Sequence, residues 1–279
     1  MKYFKTILII LSAMLFHNKA QSQDGIDTAL FKKLGVKKMW VFVKLPILPH
    51  KTMNDSCKSE FYVFDSLYRM TYENNNKNCY GWGGSYENFN TYNNKNQIIF
   101  TRQVSYGKVS LIKYYYNSNG DADRIIHQSI ENPDSVISLN QYTYNSKNKV
   151  KEIKNTNISG LDTAIFFIKY SYDSFENITA IYTYTKEMAL IKKESYEITP
   201  ISKKLLEFSI ENKLPSESFS KGWNYYNTDA QLIKTQYNNN TWTEFVYDDS
   251  GLLSKALSYN MHGKLNSLKL YFYEYFEKH

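Results

Sequence analysis

The chain repeats one short pattern along most of its length. An aromatic residue, any residue, a second aromatic residue and then Asn or Asp recur at intervals of 21 to 28 residues. The second aromatic position, here called the anchor, is followed by Asn or Asp in seven of nine copies. The anchors are Phe64, Tyr92, Tyr116, Tyr144, Tyr172, Ile198, Tyr226, Tyr247 and Tyr273. A pattern this regular constrains the chain to an array of similar units.

Each copy has the properties of a β-hairpin. Residues two apart on a strand face the same side, so both aromatic residues of a copy enter one layer. The Asn or Asp favours a tight turn because its side chain bonds its own backbone, and an apolar residue six past the anchor restarts the chain. One hairpin cannot bury its aromatic face alone. The sequence therefore predicts an all-β fold, an antiparallel β-hairpin repeat meander whose long twisted sheet is curled on itself around a concave aromatic layer.

This spacing makes a specific prediction about which side chains share a face. The aromatic pairs of two neighbouring copies should lie on one face and be mostly buried, and the residue between each pair should point the other way. The pairs are Tyr142 with Tyr144 and Tyr170 with Tyr172, and the intervening residues are Thr143 and Ser171.

Three segments are predicted along the chain. Residues 1–22 have Lys2 and Lys5 ahead of an apolar run from Ile7 to Phe16, which is typical of a signal peptide and too short to cross a bilayer. Residues 23–58 lack the repeat and form an N-terminal cap segment, with a short helix in TALFKKLG and a strand in KKMWVFVKL. Residues 59–279 form the repeat domain. We expect an exported protein, periplasmic or extracellular, with no membrane span after signal removal.

Cys57 and Cys79 are the only cysteines. Export places them in an oxidising compartment, where they can form a disulfide with their Cα atoms less than about 7 Å apart. The alternative is a pair of buried free thiols. The intervening chain is predicted to be one hairpin, which would return Cys79 towards Cys57.

Charge and motifs argue against several functions. Removal of residues 1–22 takes away three lysines and no acid, so the formal net charge falls from +7 to +4, and the basic residues are scattered; nucleic-acid binding is not expected. The histidines lack metal-ligand spacing, and NSNGDAD lacks the glycine position of a calcium loop, so neither a metal nor a cofactor is expected. Nucleophile-elbow and phosphate-loop motifs are absent from the sequence, and we expect no enzyme activity.

Two sets of aromatic residues are candidate ligand-binding residues. The stretch CYGWGGSY, residues 79–86, holds Tyr80, Trp82 and Tyr86 in a glycine-rich loop that either presents exposed rings or covers the edge of the aromatic layer. The middle residues of the repeats, among them Tyr115, Tyr225 and Phe272, either form a flat exposed face or become buried where the sheet curls.

The repeat resembles the YD repeats of Rhs-like bacterial surface proteins. The motif aromatic-x-Tyr-Asp/Asn-x-x-Gly-x-apolar is complete in FVYDDSGLL and in YYYNSNGDADRII, and the resemblance covers about residues 61 to 275. Ile198 and Thr199 depart from it, and most turns lack the Gly. The resemblance implies an exported, non-catalytic repeat protein from a Gram-negative bacterium, and it assigns no active-site residue.

The predicted function is non-enzymatic binding of a glycan or a protein at the cell envelope. One alternative is a hydrolase with its site in the curled interior, which requires carboxylates or histidines that converge in a pocket. Another is a structural or immunity-type partner that acts by edge-strand pairing, which requires an unprotected edge. A glycan binder should display exposed aromatic residues on one face.

Overall fold

The computed structural model describes residues 28–45, 57–76, 79, 84–131, 136–159, 162–198, 205–212, 218–229 and 231–276. These residues form one short helix and 18 strands of a single antiparallel sheet. The predicted signal peptide, residues 80–83 of the CYGWGGSY loop and part of the cap segment lie outside the described residues. The elements are α1 Thr28–Leu34, β1 Val36–Lys44, β2 Cys57–Phe64, β3 Met70–Asn76, β4 Ser85–Tyr92, β5 Ile98–Ser105, β6 Lys108–Tyr116, β7 Ala122–Ser129, β8 Val136–Tyr144, β9 Val150–Ser159, β10 Asp162–Tyr172, β11 Ile178–Thr185, β12 Leu190–Ile198, β13 Leu205–Asn212, β14 Ser218–Tyr226, β15 Leu232–Tyr237, β16 Trp242–Tyr247, β17 Leu253–Tyr259 and β18 Leu265–Tyr275.

The sheet is a meander that curls on itself. From β1 to β18 each strand pairs with the next along the chain, and β1 also pairs with β18. Every one of the 18 described strands therefore has a hydrogen-bonded strand on both sides. The all-β hairpin meander predicted from the repeat is confirmed, and the described strands leave no strand free for the edge-pairing alternative.

In the tight turns that follow the anchors, the Asn or Asp side chain accepts hydrogen bonds from the backbone of the same turn. In the turn after Tyr247, the Asp248 side chain accepts the backbone N–H groups of Ser250 and Leu252 at 2.9 and 3.0 Å. The same pair of bonds forms in seven further turns, which begin at Asp65, Asn93, Asn117, Asn145, Asp173, Asn227 and Asn260. The last of these joins β17 to β18 at the other end of the sheet and falls outside the nine copies found in the sequence.

The fourth residue past the anchor adopts a positive φ, which explains why most copies do without Gly. Gly251 has φ 86°, but Asn148 has φ 61° and Glu176 has φ 68° at the equivalent positions. Asn tolerates the left-handed region, and the side-chain bonds of the preceding Asn or Asp hold the turn when another residue occupies it. The Asn or Asp, rather than the Gly, is the common determinant of the turn.

A β-bulge accompanies each of these hairpins. In the hairpin β8–β9, Thr143 pairs with Glu152 but Tyr144 pairs with Val150, so Lys151 has no partner. Equivalent shifts occur immediately before six other anchors, in the pairs β2–β3, β4–β5, β6–β7, β10–β11, β14–β15 and β16–β17. Bulges increase the local twist of a strand pair, and a repeated bulge therefore favours a sheet that curls.

The predicted faces are confirmed. Thr143 is exposed, whereas Tyr142 and Tyr144 are half-buried, and the Tyr142 phenol lies within electrostatic reach of Tyr144 and Tyr170. We call the face that carries the anchors the tyrosine face and the other the opposite face. Period-two alternation places Ser171 on the opposite face.

The main apolar core lies where α1 covers the tyrosine face near the β1–β18 pairing. Phe31 of α1 is fully buried, and its ring meets Phe64 and Tyr273 edge to face, with ring centroids 5.3 and 5.7 Å apart. The helix ends before Gly35, which has φ 76°. The helix predicted in TALFKKLG and the strand predicted in KKMWVFVKL are both present, and β1 lies between β2 and β18.

Candidate functional site

Tyrosine hydroxyls join successive repeats on the tyrosine face. Each anchor tyrosine in this set donates its O–H to the backbone carbonyl that lies six residues past the preceding anchor, at O···O distances of 2.5 to 2.9 Å. The donors and acceptors are Tyr92 to Met70, Tyr116 to Ile98, Tyr144 to Ala122, Tyr172 to Val150, Tyr247 to Leu232 and Tyr273 to Leu253. The acceptor stands beside the bulge, where the ladder is locally disrupted. The repeat pattern marks these tyrosines as aromatic residues, but it does not show that they donate hydrogen bonds to the neighbouring repeat.

Burial changes the acidity of these phenols. It raises the pKa of Tyr116, Tyr144 and Tyr247 to about 12, because the phenolate would lose its hydration. The pKa of Tyr142 is raised further, by burial first and then by the neighbouring phenols Tyr170 and Tyr144. These hydroxyls are neutral donors at physiological pH, and their arrangement is structural.

The rest of the tyrosine face is more polar than the sequence analysis predicted. Glu60 is 7% exposed, and its carboxylate accepts hydrogen bonds from the Tyr62 hydroxyl at 3.0 Å and the Lys269 ammonium at 2.9 Å. Glu194, 8% exposed, likewise accepts the Tyr196 hydroxyl and pairs with Lys192. Each buried carboxylate therefore has two partners, a phenol two residues further along its own strand and a lysine, which is Lys269 of β18 for Glu60 and Lys192 of β12 for Glu194.

These carboxylates do not form the site that a hydrolase would need. Glu60 lies on β2 and Glu194 on β12, and each is paired with its own lysine. His127, whose pKa burial lowers, contacts the Ser110 hydroxyl at 2.7 Å across β6 and β7. Among the described residues, no group of three or more His, Cys, Asp and Glu side chains is placed to hold a metal ion.

The ligand-binding residues predicted from the sequence do not come together in one site. Tyr80 and Trp82 lie outside the described residues and remain predictions. Tyr86 lies on the tyrosine face, where its hydroxyl bonds the Glu73 carboxylate at 2.9 Å. Tyr115 is 38% exposed with the Arg124 guanidinium 4.5 Å from its ring centre, and Tyr225 is half-buried under Lys234.

The exposed middle residues share the opposite face but do not form one contiguous patch. Tyr115 is on β6, Tyr225 on β14 and Phe272 on β18, and these strands are not neighbours in the sheet. Phe272 stands beside the outward aromatic residues of β1.

A continuous row of aromatic rings crosses the opposite face from β18 to β4. We call it the aromatic ladder, and it consists of Trp40, Phe42, Phe61, Tyr72, Phe89 and Phe272. Trp40 stacks on Phe61 with ring centroids 5.5 Å apart and planes inclined by 18°. Phe61 meets Tyr72 at 5.8 Å, Tyr72 meets Phe89 at 5.0 Å, and Phe42 meets Phe272 at 5.5 Å. Strand pairing places Trp40 directly opposite Phe272, which connects the Phe42–Phe272 pair to the run of rings from Trp40 to Phe89.

The ladder remains open to solvent along its length. Phe89 is 37% exposed and Phe272 is 50% exposed, and the other four rings are half-buried. With strands about 4.8 Å apart, the four strand spacings from β18 to β4 give the ladder a length of about 19 Å. Monomeric proteins seldom leave such a contiguous set of large rings uncovered without a partner.

Cations and hydrogen-bonding groups border the rings. The Lys58 ammonium lies 4.1 Å from the ring centre of Phe61, and the Arg102 guanidinium lies 5.5 Å from that of Phe89. Partial burial lowers the pKa of Lys58. The Glu87 carboxylate accepts the Tyr72 hydroxyl at 2.9 Å and the Asn74 amide at 3.2 Å, which fixes the orientation of the Tyr72 ring. The site thus combines flat apolar surfaces with amide, carboxylate and cationic groups at their edges.

The disulfide expected from the sequence is present next to this site. Cys57 and Cys79 are bonded with their Cα atoms 5.4 Å apart. Cys57 is the first residue of β2, the strand that carries Lys58 and Phe61. The bond therefore tethers the start of β2 to the segment between β3 and β4.

The sequence comparisons name no relative for this chain. No protein-family model matches it. No curated protein matches it either. Within the part of the chain that the structure describes, no helix combines the length and the apolar character needed to cross a membrane.

Several solved structures are similar in shape at low sequence identity. A porin-like protein from Bacteroides uniformis is 10% identical, with 86% of this chain and 96% of that chain covered and a TM-score of 0.47. A porin-like protein from Bacteroides vulgatus is 12% identical, with 86% and 99% covered and a TM-score of 0.38. The structure described as TcdB2-TccC3 is 13% identical, with 79% of this chain and 14% of that chain covered and a TM-score of 0.35.

Proposed function

We propose that this chain is an exported, non-enzymatic protein that binds a glycan chain along the aromatic ladder. The observation that carries the proposal is the uninterrupted row of solvent-open rings from β18 to β4, with hydrogen-bonding groups at its edge. The apolar C–H faces of sugar rings pack on aromatic rings, and sugar hydroxyls exchange hydrogen bonds with amides and carboxylates such as Asn74 and Glu87.

Rigidity favours binding at this site. The rings stand on paired strands rather than on a loop, and Trp40 and Phe61 are fixed by stacking on each other. A surface that is already ordered loses little conformational entropy when a ligand binds. The disulfide supports export, since such bonds persist in oxidising compartments.

Three of the four tryptophans of the chain provide a matched test. Trp40 belongs to the ladder, Trp223 lies on the opposite face of β14 away from it, and Trp82 belongs to the loop site predicted from the sequence. Each is replaced by Ala in the mature protein, and retention is measured on immobilised envelope and plant polysaccharides and on a glycan array.

We expect Trp40→Ala to weaken polysaccharide binding by roughly tenfold or more, as for a central aromatic contact, and Trp223→Ala to bind as the wild type does. Phe89→Ala, at the more exposed end of the ladder, gives a second variant with a smaller effect on folding. Loss of binding in Trp82→Ala alone would place the site in the loop instead. Retention of envelope proteins with no polysaccharide bound would contradict the glycan assignment.

A further inference from the structure

Two cations that lie against rings of the aromatic ladder have no carboxylate partner among the described residues. The Lys58 ammonium lies 4.1 Å from the ring centre of Phe61, and the Arg102 guanidinium lies 5.5 Å from that of Phe89. Neither cation forms an ion pair with any residue that the structure describes. Partial burial lowers the pKa of Lys58, because the ammonium loses part of its hydration. A bound anion would offset that loss.

A β-bulge places the Lys58 side chain on the face that carries the ladder. Lys58 and Phe61 are three residues apart, and on a regular strand two such residues point to opposite faces. Here the register of β2 on β1 shifts between Lys58 and Glu60, so Ser59 has no partner on β1. The extra residue reverses the alternation, and Lys58 pairs with the ladder residue Phe42. Without the bulge, the ammonium would lie on the tyrosine face.

The backbone on both sides of Lys58 is held in place. Ser59 is fully buried, and its hydroxyl donates to the Val41 carbonyl at 3.1 Å. On the other side, Cys57 is bonded to Cys79, whose Sγ lies 3.3 Å from the carbonyl oxygen of Lys58. The start of the Lys58 side chain is therefore fixed before a ligand binds, which lowers the entropic cost of binding.

The other charged groups at the ladder already have partners. The Lys38 ammonium pairs with the Glu274 carboxylate at 2.9 Å. The Glu87 carboxylate accepts hydrogen bonds from the Tyr72 hydroxyl at 2.9 Å and the Asn74 amide at 3.2 Å. The two unpaired cations therefore face one carboxylate that is already hydrogen-bonded, and positive charge is in excess among these groups. A ladder of this kind attracts a ligand with negative charge.

We propose that the ligand of the aromatic ladder is an acidic polysaccharide whose sugar carboxylates bind Lys58 and Arg102. This inference rests on the function proposed above, because it assigns the charge of the glycan that the rings bind. Lys58 lies on β2 and Arg102 on β5, three strand spacings or about 14 Å apart across the sheet. The two cations therefore contact carboxylates of different sugar residues, while Tyr72 and Phe89, on the strands between them, pack against sugar rings.

The test compares polysaccharides that share a backbone and differ in charge. Polygalacturonate, alginate and hyaluronan are each used as the sodium salt and as the methyl ester, which removes the negative charge of the carboxylate. Dextran sulfate supplies a polyanion without carboxylates. Binding to the mature protein is measured by isothermal titration at low salt and again at about 1 M salt, where the Debye length is about 3 Å.

The variants change the charge and leave the rings in place. Lys58→Gln and Arg102→Gln each remove one cation, and Lys58→Arg keeps the charge. Lys234→Gln is the matched control, because the Lys234 ammonium also lies against a ring on the opposite face, 5.4 Å from the ring centre of Trp242, but outside the ladder. Thermal melting of each variant shows whether it is folded.

We expect the wild type to bind at least one acidic polysaccharide about tenfold or more tightly than its methyl ester, and less tightly at high salt. Lys58→Gln and Arg102→Gln should each weaken that binding by about tenfold, as expected for the loss of a charged hydrogen bond. Lys58→Arg should retain most of the affinity, and Lys234→Gln should bind as the wild type does.

The remaining outcomes separate this inference from the function on which it rests. Equal binding of acid and ester, lost in both cases in Trp40→Ala, would overturn the inference and leave glycan binding at the ladder intact. Equal binding of dextran sulfate and the acidic polysaccharides, or an equal loss in Lys234→Gln and Lys58→Gln, would show attraction to net charge alone and would also overturn it. A wild type that binds none of these polysaccharides and none on the glycan array would overturn both proposals.

Discussion

The hydrogen bonds from tyrosine hydroxyls to the neighbouring repeat should make a measurable contribution to stability. Tyr116→Phe removes one oxygen, which donates to the Ile98 carbonyl at 2.7 Å, and keeps the ring in the layer. A hydrogen bond of this kind has a net value of about 0.5 to 1.5 kcal/mol, so the free energy of unfolding should fall by about 1 kcal/mol.

The adjacent residue supplies the control. Tyr115→Phe makes the same chemical change one position away on the opposite face, where the ring packs against Arg124 and keeps that contact without its hydroxyl. A surface change of this type should alter the free energy of unfolding by less than about 0.5 kcal/mol. Urea unfolding followed by circular dichroism measures the free energy of unfolding of both variants, and the slope of that free energy against urea concentration should be the same for both. In thermal melting, the melting temperature should fall by about 2 to 4 °C for Tyr116→Phe alone.

Replacing several of these tyrosines tests whether the bonds act together. The combined Phe variant at Tyr92, Tyr116, Tyr144 and Tyr172 should lose about 4 kcal/mol if the bonds are independent, a large part of the total of about 5 to 15 kcal/mol that is usual for a protein. Equal effects of Tyr116→Phe and Tyr115→Phe, or a combined variant as stable as the wild type, would refute the reasoning that these bonds connect the repeats.

Three further predictions concern pH, the disulfide and the helix. Burial raises the pKa of Tyr116 to about 12 from its ordinary 10.0, so its contribution to folding stability should be complete below pH 10 and decline as the pH rises towards 12. Tyrosinate absorbance and circular dichroism measure phenol ionisation and folding side by side. Phenols that titrate near their ordinary pKa while the protein is still folded would contradict this prediction. Replacement of Cys57 and Cys79 by Ser should lower the free energy of unfolding by about 3 kcal/mol, and thiol labelling of both cysteines without reductant would show that the bond is absent. Phe31→Ala should cost about 3 to 5 kcal/mol in thermal or urea unfolding, since the ring is fully buried between α1 and the sheet; an unchanged melting temperature would mean that α1 is not part of the core.

Local features of the fold could be predicted because their causes are local. The turn at Asp248 depends on a side chain that bonds backbone groups two and four residues on, and the faces of Tyr142 and Thr143 depend on strand alternation. The turn and the two faces each depend on residues that lie within a few positions of one another in the sequence. The disulfide followed in the same way from a hairpin short enough to bring Cys57 back to Cys79.

The features that were not predicted depend on register between strands. Trp40, Phe61 and Tyr72 form a ladder only because β1, β2 and β3 pair in one register, and a shift of one residue would place the rings on different faces. The acceptors of the tyrosine hydroxyls were missed for a similar reason, since they lie in the neighbouring repeat. The alternation of aromatic residues in VKKMWVFVK and CKSEFYVF was the available signal for the ladder.

The pairing of β1 with β18 has a consequence for how the chain assembles. Seventeen of the eighteen described pairings join strands that follow one another, so each hairpin can form as soon as its own segment is available. The pairing of β1 with β18 joins residues as distant as Lys38 and Glu274, 236 positions apart, and it waits for the whole meander. Until then both outer strands present unpaired N–H and C=O groups, and a chain held at that stage can add strands from its neighbours. Refolding yield should therefore fall with protein concentration, and the loss should arise at the joining of the first and last strands rather than at any hairpin.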